Sequence, residues 1–165
     1  MYKHILLPTD GSPLSARAVA SGIALARATG ASVTALFVAP PPTPVVFRRR
    51  LPIGYATTEQ HADMIEHEAA KALGAVEKAA KAAGVTVRLE KVVGDFPADA
   101  ILATAKRRKC DLIVMASHGR SGLKAVLLGS ETQKVLTHAG VPVLVHRSPR
   151  SGAQSRRAHP PLTIR

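Results

Sequence analysis

The residues best suited to chemistry lie in one short segment, Ser117-His118-Gly119-Arg120-Ser121-Gly122, directly after an apolar run. Its two glycines allow the backbone to turn sharply and to approach a ligand closely. Successive N–H groups in such a loop can surround phosphate oxygens, and Arg120 can engage a phosphate bidentately. Many α/β proteins carry such loops without a ligand, and Arg120 is equally well explained as a solvated loop residue. These residues alone therefore leave phosphate binding and a plain loop as equal alternatives.

A second feature follows after an apolar stretch, at Gly129 and Ser130. The tetrapeptide Ser130-Glu131-Thr132-Gln133 matches the capping-box pattern, which predicts a helix that starts at Ser130. The first-turn N–H groups and the positive dipole end of that helix would face the glycine-containing loop and favour an anion. The sequence contains neither a Walker pattern nor the glycine-rich dinucleotide fingerprint, which disfavours those nucleotide-binding folds.

Covalent catalysis is not predicted, although Ser117, His118 and Asp10 supply the residue types of a triad. No nucleophile-elbow pattern is present, and a serine and a histidine that are adjacent in sequence rarely point at each other. His118 is instead expected near phosphate or solvent. Asp10 could also be a turn or helix-capping residue, and Cys110 is expected to be a passive, small buried residue.

The composition restricts the class of protein. A single cysteine excludes an internal disulfide and favours a reducing, cytoplasmic location. No apolar run is long enough for a membrane span, and the first eight residues form a strand better than a signal peptide. The net charge of +12 comes largely from clusters at 48–50, 106–109 and the tail, which are expected to be solvated surface. Because aromatic residues are scarce, nucleic-acid binding is not favoured.

The spacing of apolar residues, together with the positions of proline and glycine, predicts the strands and helices that position these residues. Strands are predicted at 3–8, 32–39, 85–93, 111–116 and 141–146. Helices are predicted from Pro13 to Gly30, over 59–83, from an opening at Asp95-Phe96-Pro97 through about Arg108, and from Ser130. This alternation predicts a single-domain α/β fold, a five-stranded parallel sheet with helices on both faces. Ligands are then expected beyond the carboxyl ends of the strands, after Leu7, Val38 and Met115.

Two segments do not fit an ordinary connection. Residues 40–58 are rich in proline and too long for a βα loop, which predicts a lid or part of an interface. Residues 148–165 are basic and low in apolar content, so they are predicted to be a loosely held tail beyond a domain of residues 1–147.

The opening Lys3-His4-Ile5-Leu6-Leu7-Pro8-Thr9-Asp10-Gly11-Ser12, together with 115–130 and 141–145, resembles the universal stress protein family over residues 2–147. The resemblance implies a Rossmann-like fold, a dimer joined through the last strand, and ATP or a related adenine nucleotide as ligand. The family pattern is Gly, two residues, Gly, nine residues, then Gly and Ser or Thr. Gly119, Gly129 and Ser130 match it, but Ala116 occupies the leading glycine position. If that position requires positive φ, alanine costs roughly 1–2 kcal/mol.

The family's binding residues can be carried over position by position. Pro8, Thr9 and Asp10 would lie beside adenine and ribose, and Asp10 would be an outer ligand of Mg²⁺. Val38 and Met115 would contact adenine. The phosphates would be lined by the segment after the fourth strand and by the next helix start: Ala116, Ser117, His118, Gly119, Arg120, Gly122, Gly129, Ser130, Glu131 and Thr132.

Three functions are compatible with the sequence. The first is a stress-response regulator that binds ATP, acts on an unidentified protein partner and hydrolyses ATP slowly at most. The second is an interaction protein that has lost nucleotide binding, because of Ala116. The third is a binder of nucleic acid or another anionic surface through the basic clusters, which would be strongly salt-dependent.

Overall fold

The computed structural model describes residues 1–41, 58–118 and 128–147. Within these ranges the strands are β1 (His4–Pro8), β2 (Ser32–Ala39), β3 (Val87–Val93), β4 (Leu112–Ala116) and β5 (Val143–His146). The helices of the same ranges are α1 (Pro13–Thr29), α2 (Thr58–Ala82), α3 (Pro97–Arg107) and α4 (Ser130–His138). The predicted alternation of strands and helices is confirmed. Within the described residues, no helix has the length and apolar character needed to cross a membrane.

All strand pairs are parallel, and the order in the five-stranded sheet is β3-β2-β1-β4-β5. The predicted fold class is therefore confirmed. Side chains alternate between two hydrophobic clusters: Ile5 and Leu7 belong to the cluster under α1 and α2, whereas Leu6 belongs to the cluster under α3 and α4. Because the strand order reverses between β1 and β4, their following helices diverge to opposite faces and leave a crevice at this edge.

The start and end of α1 show how local sequence fixes an element. The Ser12 hydroxyl accepts a hydrogen bond from the Ser15 N–H, and Pro13 occupies the first helical position. Gly30 ends the helix with φ of 70°, a conformation that glycine adopts without a Cβ clash. In the middle of α1, a Cβ added to Gly22 would overlap the Leu7 side chain. This glycine therefore brings α1 close to β1.

Two strands begin two residues later than predicted, and β1 and β4 begin one residue later. The strand expected over 85–93 begins at Val87, and the one expected over 141–146 begins at Val143. Pro142 lacks an N–H and cannot donate within the sheet, although its carbonyl accepts from the Ile113 N–H. The helix predicted over 59–83 extends over Thr58–Ala82, and Gly84, with φ of 69°, follows it.

Charged side chains connect β3 to the end of α3. Glu90 forms ion pairs with Arg107 and with Arg108, whose Nε lies 2.6 Å from Glu90 Oε2. Burial raises the pKa of Glu90, but hydrogen bonds from Arg108 and Arg107 and their charges outweigh it and leave the pKa below its ordinary value. Two of the four cations in the 106–109 cluster are thus engaged within the protein rather than simply solvated.

Candidate functional site at the carboxyl edge of the sheet

The turn from β1 into α1 is held by a group of short polar side chains. Thr9 is only 8% exposed, and its hydroxyl lies 3.1 Å from the Ser15 hydroxyl. Thr9 Oγ1 also accepts from the Gly11 N–H, and Gly11 adopts φ of 76°. Asp10 Oδ1 accepts from the Ser12 N–H at 3.0 Å. The turn role considered for Asp10 is therefore present, and its carboxylate lies at the first turn of α1.

The second wall of the crevice is formed where α4 begins beside the end of β4. The Gly129 N–H donates to the Ser117 carbonyl at 2.8 Å. The buried Thr132 hydroxyl lies 3.1 Å from the Ala116 carbonyl oxygen and 3.2 Å from that of Ser117. These contacts attach the first turn of α4 to the last residues of β4. The positive end of the α4 dipole is thereby fixed at the carboxyl edge.

The helix starts at Ser130 as predicted, but the capping-box interpretation is wrong. Gly129 is the N-cap residue and makes no side-chain cap, so Ser130 is already the first helical residue. The Gln133 side chain instead donates to the Leu128 carbonyl at 2.9 Å. A Cβ at Gly129 would lie 3.3 Å from the Ser117 oxygen and 3.5 Å from the His118 Cα. Glycine at this cap therefore permits the close approach that a serine cap would hinder.

Glu131 has a structural role that the sequence did not reveal. Its Oε2 accepts from the Ala98 N–H at 2.8 Å, at the start of α3, where the N-cap residue Phe96 provides no side-chain hydrogen bond. The carboxylate of α4 therefore caps the neighbouring helix and complements its positive dipole end. Its side chain is committed to α3, so only its backbone remains suited to the helix-start contacts expected of it.

Ser117 and His118 do point at each other, contrary to the expectation from their adjacency. Ser117 Oγ lies 3.0 Å from His118 Nδ1. Ser117 is 2% exposed and His118 is half-buried, while the Ser117 N–H donates to the His146 carbonyl. This places a buried hydroxyl and a partly exposed imidazole at the carboxyl end of β4, where the imidazole can hydrogen-bond to a polar ligand and the hydroxyl orients it.

The apolar members of the predicted site lie at the same edge. Met115 is buried in the cluster under α3 and α4, and Val38 packs against that cluster, partly exposed. Pro8, at the end of β1, is also partly exposed. An apolar ligand group such as a purine could thus contact the ends of β1, β2 and β4.

Ala116 is accommodated without backbone strain. It is paired with His146 in the sheet and is 7% exposed. Among the described residues, Lys109 is the one non-glycine with positive φ. Alanine at position 116 therefore avoids the cost considered for a left-handed position, and only the volume of its methyl group distinguishes it from glycine.

Some predicted members of the site cannot be placed. Gly119, Arg120 and Gly122 lie outside the described residues, as do the tail and residues 42–57 of the 40–58 segment. Within the described part of the chain, no three His, Cys, Asp or Glu side chains form a metal-binding cluster. A single carboxylate such as Asp10 suits Mg²⁺ only when substrate phosphates supply further ligands.

Two residues that the sequence analysis did not include complete the geometry. The Ser15 hydroxyl, 3% exposed, connects Thr9 to the Ser12 carbonyl. His146 Nδ1 lies 3.2 Å from the Ser21 hydroxyl and joins β5 to α1. Ser15 could have been suspected because it lies three residues after a helix-capping serine, but the His146 contact depends on tertiary packing.

Comparison with known proteins gives a consistent result. The model of the universal stress protein family matches residues 1–147. Universal stress protein MJ0531 of Methanocaldococcus jannaschii is 37% identical over 150 residues, covering 91% of this chain and 85% of that protein. The solved structure of MJ0577 from the same organism has a TM-score of 0.77 at 30% identity, covering 92% of this chain and 99% of that one. A universal stress protein in complex with cAMP has a TM-score of 0.63 at 28% identity, covering 87% and 95%.

Proposed function

This chain belongs to the universal stress protein family, and we propose that it binds ATP or a related adenine nucleotide in the crevice between β1 and β4. A relative of similar fold was solved in complex with cAMP, which supports an adenine nucleotide as the ligand class. The nucleotide would regulate the association of this protein with itself or with a protein partner in the stress response.

The observation that carries the proposal is the attachment of the α4 N-terminus to the end of β4. Gly129 and Thr132 hold that helix start against the Ser117 carbonyl at 2.8 and 3.2 Å. Backbone N–H groups and the helix dipole then favour an anion at the switch point of the sheet. His118, oriented by the Ser117 hydroxyl, lies beside it and can donate to phosphate oxygens.

The other end of the ligand would meet β1 and β2. Val38 and Met115 supply apolar contacts for adenine, and Thr9 and Asp10 lie where a ribose would follow. Since Asp10 offers one carboxylate, Mg²⁺ would be held jointly with the phosphates. A dedicated catalytic base is not assigned, so hydrolysis of ATP is expected to be slow.

The experiment that tests this function measures nucleotide content and affinity together. Purified protein is denatured, released nucleotide is identified by chromatography, and stripped protein is titrated calorimetrically with ATP and Mg²⁺. Bound adenine nucleotide or micromolar affinity is expected, with GTP as the comparison ligand. Absence of both bound nucleotide and heat at millimolar ATP contradicts the proposal.

The variant Gly129→Ala tests the close approach at the helix start. Its Cβ would lie 3.3 Å from the Ser117 carbonyl oxygen, so the helix start must move. Because the displaced first-turn N–H groups would no longer be aligned with the phosphates, we expect ATP affinity to fall about tenfold, which corresponds to about 1.4 kcal/mol. The matched control is Gly74→Ala on α2, where no atom lies within 4 Å of the added Cβ. Equal affinity in both variants would show that the approach of α4 does not form the site.

A second candidate function follows from Ala116. If its methyl group fills space that the nucleotide needs, the chain acts as an interaction protein without nucleotide. That alternative expects no thermal shift of the wild type with ATP and Mg²⁺, and a shift gained by Ala116→Gly. A variant that gains nothing counts against it.

The partner in the regulatory role is proposed to be a second copy, paired through β5. Leu144 is 41% exposed on this edge strand, and Val143 and Val145 are partly exposed. Leu144→Glu is expected to convert a dimer into a monomer in sedimentation velocity. Leu89→Glu, at a leucine 37% exposed on the opposite edge strand β3, is the control. A monomeric wild type or a dimer retained by Leu144→Glu contradicts this interface.

Three further interpretations stay predictions. They are the cytoplasmic location suggested by the single cysteine, the domain boundary at residue 147 followed by the basic tail 148–165, and the role of the 40–58 segment as a lid or interface.

A further inference from the structure

A groove of about 500 Å³ lies at the amino edge of the sheet, where α3 and α4 end. The proposed nucleotide crevice lies at the opposite edge. The groove volume falls within the range of small-molecule sites. Its walls combine apolar residues of α3, β4 and the segment before β5 with basic residues at the rim.

The interior of the groove is apolar. Its exposed aliphatic surface comes from Leu102, Ala103 and Val141, and the fully buried Ile113 lies beneath them. Cys110 also lines the groove, and burial raises the pKa of its thiol to about 11, so the thiol is neutral at pH 7. This interior suits a hydrocarbon chain and would exclude a charged group.

The rim carries positive charge that the fold does not use for ion pairing. Arg107 and Arg108 are engaged by Glu90. Lys106 and Lys109 line the groove, and neither forms a salt bridge within the described part of the chain. His138 faces them from α4, and its Nδ1 donates to the Lys134 carbonyl at 2.9 Å, which holds the ring in place.

At this rim, Lys109 adopts a left-handed backbone conformation that is unfavourable for a residue with a side chain. It has φ of 54°, whereas Gly30 and Gly84 occupy the left-handed positions after α1 and α2. A side chain in this conformation is less favourable than glycine because its Cβ approaches the neighbouring carbonyl oxygen. The last carbonyls of α3 already accept backbone N–H groups, including Ala105 from Cys110. Together with the bond from the Lys109 N–H to the Lys106 carbonyl, this forms a Schellman motif, which accounts for the positive φ at Lys109. The lysine adds an amine at the groove rim where α1 and α2 are followed by glycine.

We propose that this groove is a second binding site, for a medium-chain fatty acid whose chain enters between α3 and α4 and whose carboxylate meets Lys106 and Lys109. Charge complementarity selects an anionic head group, and the apolar walls select a short hydrocarbon chain. Binding here would attach a ligand to the end of α4, whose start forms the second wall of the proposed nucleotide crevice.

Decanoate below its micellar concentration is the probe, and decanol is the uncharged control ligand. Binding is followed by amide chemical shifts of the full chain in ¹H–¹⁵N spectra. We expect shifts concentrated at 102–113 and 138–141, and weaker binding of decanol. Lys106→Gln combined with Lys109→Gln should weaken decanoate binding about tenfold, since each exposed ion pair contributes up to about fivefold. The double variant Lys78→Gln, Lys81→Gln, on the exposed face of α2, should leave it unchanged.

Lys109→Gly separates a binding role from a structural one. This variant should weaken decanoate binding about threefold while raising the thermal stability, because it removes both the amine and the strain. Ala103→Phe, at an exposed position in the groove wall, should block binding without unfolding the protein. Unchanged decanoate affinity in these variants, equal binding of decanol, or shifts elsewhere in the protein would overturn the proposal. Shifts at the groove that depend on protein concentration alone would assign it to a second copy and would also overturn it.

Discussion

The two ends of the sheet are held together by different chemistry. At the carboxyl end, β4 is attached to α4 by the neutral hydroxyl of Thr132 and the backbone of Gly129. At the amino end, the charged carboxylate of Asp111 accepts from the N–H groups of Lys3 and His4 at 2.7 and 3.0 Å, joining β4 to β1. The contacts that hold the start of α4 are neutral, and the carboxylate in its first turn, Glu131, is hydrogen-bonded to α3. The α4 dipole is therefore compensated only in part and still favours an anionic ligand. At the amino end, the anion is a side chain of the protein itself, the carboxylate of Asp111.

The largest effect is expected from Thr132→Val, which tests the neutral attachment. The valine has the same shape but cannot donate, so the Ala116 carbonyl loses the hydroxyl, whereas the Ser117 carbonyl still accepts from the Gly129 N–H. Leaving a buried acceptor unsatisfied costs about 1–3 kcal/mol in the free energy of unfolding, measured by urea denaturation. The loss should be the same at pH 4 and pH 7, since no ionisable group is removed.

The control for this prediction is Thr137→Val on the same helix. The Thr137 hydroxyl donates to the Gln133 carbonyl at 2.9 Å, but the residue is exposed, so water can replace the bond. We expect a change within about 0.5 kcal/mol. Equal losses in the two variants would show that the buried contact with β4 contributes nothing beyond helix propensity.

A smaller, pH-dependent effect is expected from Asp111→Asn at the amino end. Burial raises the pKa of Asp111, but hydrogen bonds from the N–H groups of Lys3, His4 and Asp111 itself outweigh it and lower the pKa below 3.8. Its contribution is therefore complete above the unfolded pKa and is lost as the pH falls through the lower folded pKa. Asparagine should cost about 1 kcal/mol at pH 7, and the difference from the wild type should shrink below pH 4.

Asp63→Asn, at an exposed carboxylate of α2, is the control for that pH dependence. It should leave the free energy of unfolding within about 0.5 kcal/mol at every pH. If the Asp111→Asn deficit were equally large at pH 3 and pH 7, the amino end would not depend on the charge of the carboxylate, and the contrast between the two ends would fail.

How much of this arrangement the sequence predicts depends on how local its causes are. The α1 boundaries follow from Ser12, Pro13 and Gly30, whose effects act within one turn, and they match the structure. The capping-box pattern at Ser130 failed because a tertiary constraint, the close approach of Gly129 to Ser117, moved the cap one residue earlier. The Glu131 carboxylate likewise makes a tertiary contact, because it accepts from the N–H of Ala98 at the start of α3, 33 residues away in the sequence. Contacts between elements of this kind leave no periodic trace in a single sequence.

The smallest effect, and the one of opposite sign, is expected from Lys109→Gly. The turn from α3 into β4 adopts φ of 54° at Lys109, so glycine relieves the clash of the Cβ, although it also adds entropy to the unfolded chain. The net gain should be about 0.5–1 kcal/mol in the free energy of unfolding, measured by thermal denaturation. Lys109→Ala removes the same amine but keeps the Cβ, so it should gain nothing. If both variants raised the free energy of unfolding, the destabilisation in the wild type would come from the charge of the lysine and not from backbone strain. A gain in glycine alone would show that this end keeps a strained lysine where the turns after α1 and α2 use glycine.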